Sequence, residues 1–116
     1  MVVLEEAKAY LRVDSDYEDE VIQMILQSAE SICMDVARLD VSEWQSIEAV
    51  NEESTEDVII RGMPVGAKDA LQMKELLRIS VFYAAGYLFE HRQEADHHDL
   101  VITLRNLLFS VREGVI

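Results

Sequence analysis

Residues 76–92 read LLRISVFYAAGYLFEHR. Placed on a helix at about 100° per residue, Leu77, Val81, Ala84 and Leu88 share one side, while Ile79, Phe82, Tyr83 and Gly86 share the opposite one. Both sides are apolar, and no charge occurs from Ile79 through Phe89. Such a helix has to be covered almost all round, by the rest of its own chain or by another copy. The uncharged run is far shorter than the roughly 18 to 20 residues that cross a bilayer, and both flanks are polar. The stretch therefore predicts a central core helix, running from about Ala67 through His91.

Outward from it, the spacing predicts three more helices. Leu4 to Val13 places Leu4, Ala7, Tyr10 and Leu11 on one face, with Glu5 and Glu6 early and Lys8 and Arg12 late, as the helix dipole favours. A second helix is expected from near Asp16 to about Leu39, with Ser15 and Glu18 as a capping box and Ile22, Ile25, Leu26, Ala29, Ile32, Cys33 and Val36 as its buried stripe. Met24 and Met34 read as gap-fillers at the margins of that stripe. The last helix is expected from Asp96 or His97 through Arg112, with Asp96 as cap, Leu100, Leu104, Leu107, Leu108 and Val111 as stripe, and Gly114 as its end.

Between them, residues 40–66 change character. VSEWQSIEAV suits a short helix capped by Ser42, NEESTED is an acidic polar run expected to be mobile, and DVIIRGMPVG reads as a brief extended piece. The fold class that results is all-α, a bundle of about four main helices with an irregular acidic middle segment. Residues 1–116 are expected to form a single helical domain, with 40–66 as an irregular or mobile insert; 116 residues, half of them hydrophobic, suit one core.

The single cysteine excludes an intrachain disulfide, and the first residues carry no pattern of a secretory signal or lipid anchor. The formal net charge is −13. Residues 1–60 hold 3 basic and 16 acidic residues, whereas 61–116 hold 7 of each, so the imbalance belongs to the first half. Such a field disfavours adhesion to a phosphate backbone, which draws its affinity from Lys and Arg. The acidic surface is expected to include Glu18, Asp19, Glu20, Glu52, Glu53, Glu56 and Asp57.

Catalytic chemistry is not visible. The sequence contains no Gly-rich phosphate loop and no GxSxG elbow, and Cys33 sits in an apolar stripe. The one concentration of possible ligands is EHRQEADHHD, with Glu90, His91, Glu94, Asp96, His97, His98 and Asp99. Adjacent histidines on a helix point about 100° apart, and neither HExxH nor ExxH occurs, so the cluster reads as a solvated turn. No enzyme activity, metal or cofactor is expected.

Three pieces taken together, LEEAKAYLRVD before a long amphipathic helix, FYAAGYLFEHRQ, and LRNLLFSVR, resemble the head-tail connector family of long-tailed bacteriophages, also called head-completion or DNA-packaging adaptor proteins. The resemblance spans nearly the whole chain, and its most specific parts are the opening segment and the Glu90, His91, Arg92 element. Relatives usually offer Ser or Thr where this chain has Val3, and their middle segment carries more proline and more basic or aromatic residues. The resemblance implies a homo-oligomeric ring of about a dozen copies closed by head-to-tail contacts. It further implies a place beneath the portal protein in the virion neck, and assembly in the host cytoplasm. The ring would extend the DNA channel without binding DNA specifically and offer a docking surface to a stopper or tail-completion protein, with no membrane involved.

A second subunit would cover part of the Ile79, Phe82 and Tyr83 side or the Trp44 to Ile60 segment, including Ile47, Val58 and Ile59, and Ile60 is expected to be peripheral. Two other readings are open. One is a small acidic helical regulator or antitoxin-like module that binds a basic protein partner; the other is a metal-dependent helical-bundle enzyme using the 90–99 cluster.

Overall fold

The helix expected around residues 76–92 extends over Ala67–Glu90 in the computed structural model, which describes residues 1–93 and 96–114. The elements in chain order are α1 (Leu4–Leu11), α2 (Asp19–Val36), α3 (Val41–Glu48), β1 (Val58–Ile60), β2 (Met63–Val65), α4 (Ala67–Glu90), α5 (His98–Leu107) and α6 (Phe109–Glu113). The architecture is mainly α, as the sequence predicts.

The two sides of α4 are covered by different parts of the chain. Leu77, Val81 and Ala84 are fully buried, in one core with Ile22, Leu26, Ala29 and Cys33 of α2 and Leu100, Leu104, Leu108 and Val111 of the last two helices. On the other side α1 lies across Phe82, whose ring centroid is 5.1 Å from that of Tyr10. Gly86 makes this approach possible: a Cβ there would stand 3.2 Å from the Tyr10 ring. α2 runs antiparallel to α4, because Glu18 at its start meets Arg92 just past the end of α4 at 3.0 Å.

At the far end of α2 the last carbonyls need donors, and no basic residue lies in its final turn. Arginines from elsewhere supply them. Arg112 Nε donates to the Val36 carbonyl at 3.1 Å, and Arg61 Nη1 reaches those of Ala37 and Arg38 at 3.3 and 3.0 Å. Arg61 Nη2 also donates to the Val111 carbonyl at 2.6 Å. Arg61 and Gly62 form the two-residue turn between β1 and β2, where Ile60 pairs with Met63, and both have positive φ (50° and 77°) as a type I′ turn requires. A non-glycine residue in that conformation costs about 1–2 kcal/mol, which the carbonyl contacts of its side chain offset.

Several sequence expectations need correction. α2 starts at Asp19, not near Asp16, and no Ser15 capping box forms: Asp16 and Asp19 instead close a turn around Lys8 Nζ, each with an oxygen at 2.9 Å. α3 is capped by Asp40, not Ser42. The Asp40 carboxylate accepts from Glu43 N at 2.7 Å and the Glu43 carboxylate accepts from Asp40 N at 2.9 Å, a complete capping box two residues earlier than expected. At α1 only half a box forms, with Glu6 accepting from Val3 N at 3.2 Å, since a valine side chain has no acceptor.

The last helix is broken at Leu108, which turns Leu108 and Val111 inward and leaves Leu107 exposed. Met24 is 68% exposed, on the outer face of α2 and not at its buried margin. Asp96 caps from one position further out, accepting from His98 N at 2.9 Å, while Glu94 of the same cluster lies outside the described residues. Ile60 is not peripheral: it is 3% exposed, buried with Trp44, Ile47, Val50 and Val58.

Leu77 and Ile79 stand two residues apart on α4 with opposite surroundings, 0% and 55% exposed. Leu77→Ala should destabilise the fold by about 2–5 kcal/mol in denaturant titration, and Ile79→Ala by no more than about 0.5. Equal losses would show that the buried side has been misassigned.

Candidate functional site

Of the residues expected at a subunit contact, the chain covers half itself. Trp44, Ile47, Val58 and Ile60 belong to the core. Phe82 is half-buried between the Tyr10 ring and the Arg78 guanidinium, whose centre lies 5.7 Å from the Phe82 ring centroid. Ile59, Ile79 and Tyr83 remain exposed. Val3, just before α1, and Tyr10 on it are exposed too, as is Met63 of the hairpin.

A second surface escaped the sequence reading. The outer face of α2, the end of α4 and the start of α5 enclose a groove of about 790 Å³ with Val21, Met24, Ile25, Ile32 and Leu88 among its walls. His91, Arg92 and His97 also line it, and among the described residues no carboxylate does. The His91 ring stacks on Tyr87 with centroids 4.1 Å apart, its Nδ1 2.8 Å from the Tyr87 carbonyl, and His97 meets the same ring edge-on at 6.2 Å. The available signal was Met24, which lies about 200° round the helix from Ile22 and so outside any stripe centred there.

The acidic surface divides in two. Asp19 is held by Lys8 and Glu18 by Arg92, so these two are neutralised locally. Glu20, Glu52, Glu53, Glu56 and Asp57 are exposed, and none forms an ion pair among the described residues. The 51–57 loop is shaped by Asn51, whose side-chain oxygen accepts from Glu53 N at 2.8 Å and whose carbonyl accepts from Ser54 N at 3.1 Å. These turns leave its carboxylates pointing at solvent.

Among the described residues no group of three or more His, Cys, Asp or Glu side chains is placed to hold a metal ion. Burial, with a smaller contribution from Glu30, pushes the Cys33 thiol up to about 12, so it is not a thiolate at neutral pH. No helix among these residues is long and apolar enough to cross a membrane.

What is built, then, is a set of exposed apolar and charged surfaces on a well-packed helical core. The family model for phage gp6-like head-tail connector proteins matches residues 1–115. The chain belongs to that family. No curated protein and no solved structure matches it. The head-tail connector family is a structural one and not a known enzyme family.

In this connector, charge pairs fasten α1 to the rest of the domain. Arg78 binds the Glu6 carboxylate and donates to the Met1 carbonyl at 2.7 Å, and it holds the Glu6 carboxyl below its usual range, helped by the Val3 N–H. Lys8 is held protonated by Asp19 and Asp16, and lowers the Asp16 carboxyl in turn. A carboxyl lowered in the folded state contributes stability above its unfolded pKa and loses it as pH falls through the folded value. The melting temperature should therefore fall as pH drops below about 4.5, the ordinary carboxyl value, with no matching loss from Lys8 until strongly alkaline pH. Lys8→Met should flatten the acid limb of that profile, and an unchanged limb would show that the Lys8 pairs contribute nothing.

Proposed function

We propose that this connector works by assembling head-to-tail into a ring beneath the portal, extending the DNA exit channel and offering its far side to a stopper or tail-completion protein. The observation that carries this reading is the presence of exposed apolar residues on separate faces of one small domain: Ile79, Tyr83 and Tyr10 on one, Val21 and Met24 on another. A two-fold dimer needs one self-complementary patch, whereas a closed ring needs two different ones. The family match supports the place in the virion neck.

The charge suits a conduit. A chain of net charge −13 offers passing DNA no cationic track to release counterions, so DNA would slide without being held. Of the residues that the sequence assigns to the subunit contact, Ile59, Ile79, Tyr83 and part of Phe82 remain open to a neighbour.

Ile60→Glu would bury a carboxylate in the monomer core and is a poor probe. Ile79→Glu changes a side chain that is already in solvent. In the phage or prophage that encodes the chain, Ile79→Glu should give a folded, helical protein, filled or leaking heads without tails, and normal free tails in the lysate. Fully infectious particles from this variant, and from a deletion of the whole protein, would overturn the connector reading in favour of an acidic module that binds a basic protein.

A further inference from the structure

Little apolar area holds α1 on the domain. Of its eight residues only Ala7 and Lys8 are buried, whereas α4 buries eight, Leu77, Val81 and Ala84 among them. Beyond these, Val2 ahead of the helix is buried, and Leu4 and Leu11 are partly so. Val3 at the N-cap offers no side-chain acceptor, and isolated helices below roughly 12 to 15 residues are marginal in water. The far end of α1 is incompletely packed: Tyr10, Leu11 and Arg12 stand across a slot of about 620 Å³ from Tyr83, Gly86 and Phe89.

Two charge clamps fasten it. Arg78 binds Glu6 and the Met1 carbonyl, and Lys8 is held by Asp16 and Asp19. The Arg78, Glu6 and Asp16 side chains are 32%, 38% and 91% exposed, so water and salt reach both clamps. The core beneath does not need the Tyr10 contact. Leu77, Val81 and Ala84 pack with Ile22, Leu26 and Ala29 of α2 and with Leu100, Leu104 and Leu108, on the side of α4 away from Phe82.

We infer that α1 is a strap, which opens and closes as a unit over Phe82 and Gly86 while α2, α4 and α5 stay folded. Segments with few buried apolar contacts and bonds within reach of solvent open at a smaller cost than the whole domain. Ile79, Phe82, Tyr83 and Gly86 share one side of α4. Tyr10 closes over the Phe82 and Gly86 part of it, so an open strap joins Phe82 to Ile79 and Tyr83 in one apolar strip. The consequence rests on the reading of Ile79 and Tyr83 as a contact between copies: a closed strap shortens that contact and restrains association of the free chain.

Hydrogen exchange followed by residue tests the strap, on the purified full-length chain with and without Glu6→Gln and Lys8→Met together. After correction for intrinsic rates, the amides of Ala7, Tyr10 and Leu11 should exchange at least about 100-fold faster than those of Val81 and Ala84. The double variant should speed the first set about tenfold and leave the second unchanged, which also shows that it folds. One common rate for both sets, or an equal rise in both, would place α1 in a single cooperative unit and overturn the strap. Light scattering reads the restraint. A tenfold larger open population should let the double variant self-associate at about one tenth of the parent's concentration, and adding Ile79→Glu should remove that gain. Fast exchange in α1 with unchanged association overturns the restraint and leaves the strap, and a gain that survives Ile79→Glu overturns the joined strip. Fully infectious Ile79→Glu particles overturn the ring reading without touching the exchange result.

Discussion

Everything in this domain depends on covering α4. Its central residues are apolar on opposite sides, and a helix exposed on either would leave a large hydrophobic surface in water at roughly 25 cal/mol per Å². The chain meets this with α2 and the last two helices on one side and α1 on the other. The second cover is the thinner one. α1 is only eight residues long, and it reaches Phe82 and Gly86 but not Ile79 or Tyr83. The residue of unburied surface on α4 follows directly from that shortness, and it is the surface that our proposal gives to a neighbouring copy.

The ends of the bundle are held by charge where burial cannot act. α1 is fastened through Arg78 to Glu6 and through Lys8 to Asp16 and Asp19, while α2 ends on Arg61 and Arg112. Arg61 and Arg112 come from distant parts of the chain, so they tie the hairpin and α6 to the same helix end. Arg61 thereby anchors the hairpin that follows the acidic loop to the end of α2.

The central helix, its buried stripe on Leu77, Val81 and Ala84, and the mainly α class were legible from period alone, because a long apolar repeat is a strong signal. The capping errors at Ser15 and Ser42 came from choosing among several adjacent acceptors. Asp16 was already taken by Lys8, a contact across two elements that no local pattern contains, and Asp40 wins because Glu43 reciprocates. Ile60 looked peripheral since its strand is three residues long and flanked by turn residues. Its burial depends on α3 folding back over it. The groove was hidden for the same reason: Met24, Leu88 and His97 come from three elements, and only the antiparallel packing of α2 on α4 brings them together.

The central claim is that this chain acts by making many copies of one head-to-tail contact on a portal. Light scattering of the purified full-length chain, alone and mixed with its portal protein, tests it most directly. The account predicts that the portal complex carries a single fixed number of copies, greater than two, consistent with a closed ring. A chain that remains monomeric, or stops at a two-fold dimer, at every concentration and in the presence of the portal would contradict it.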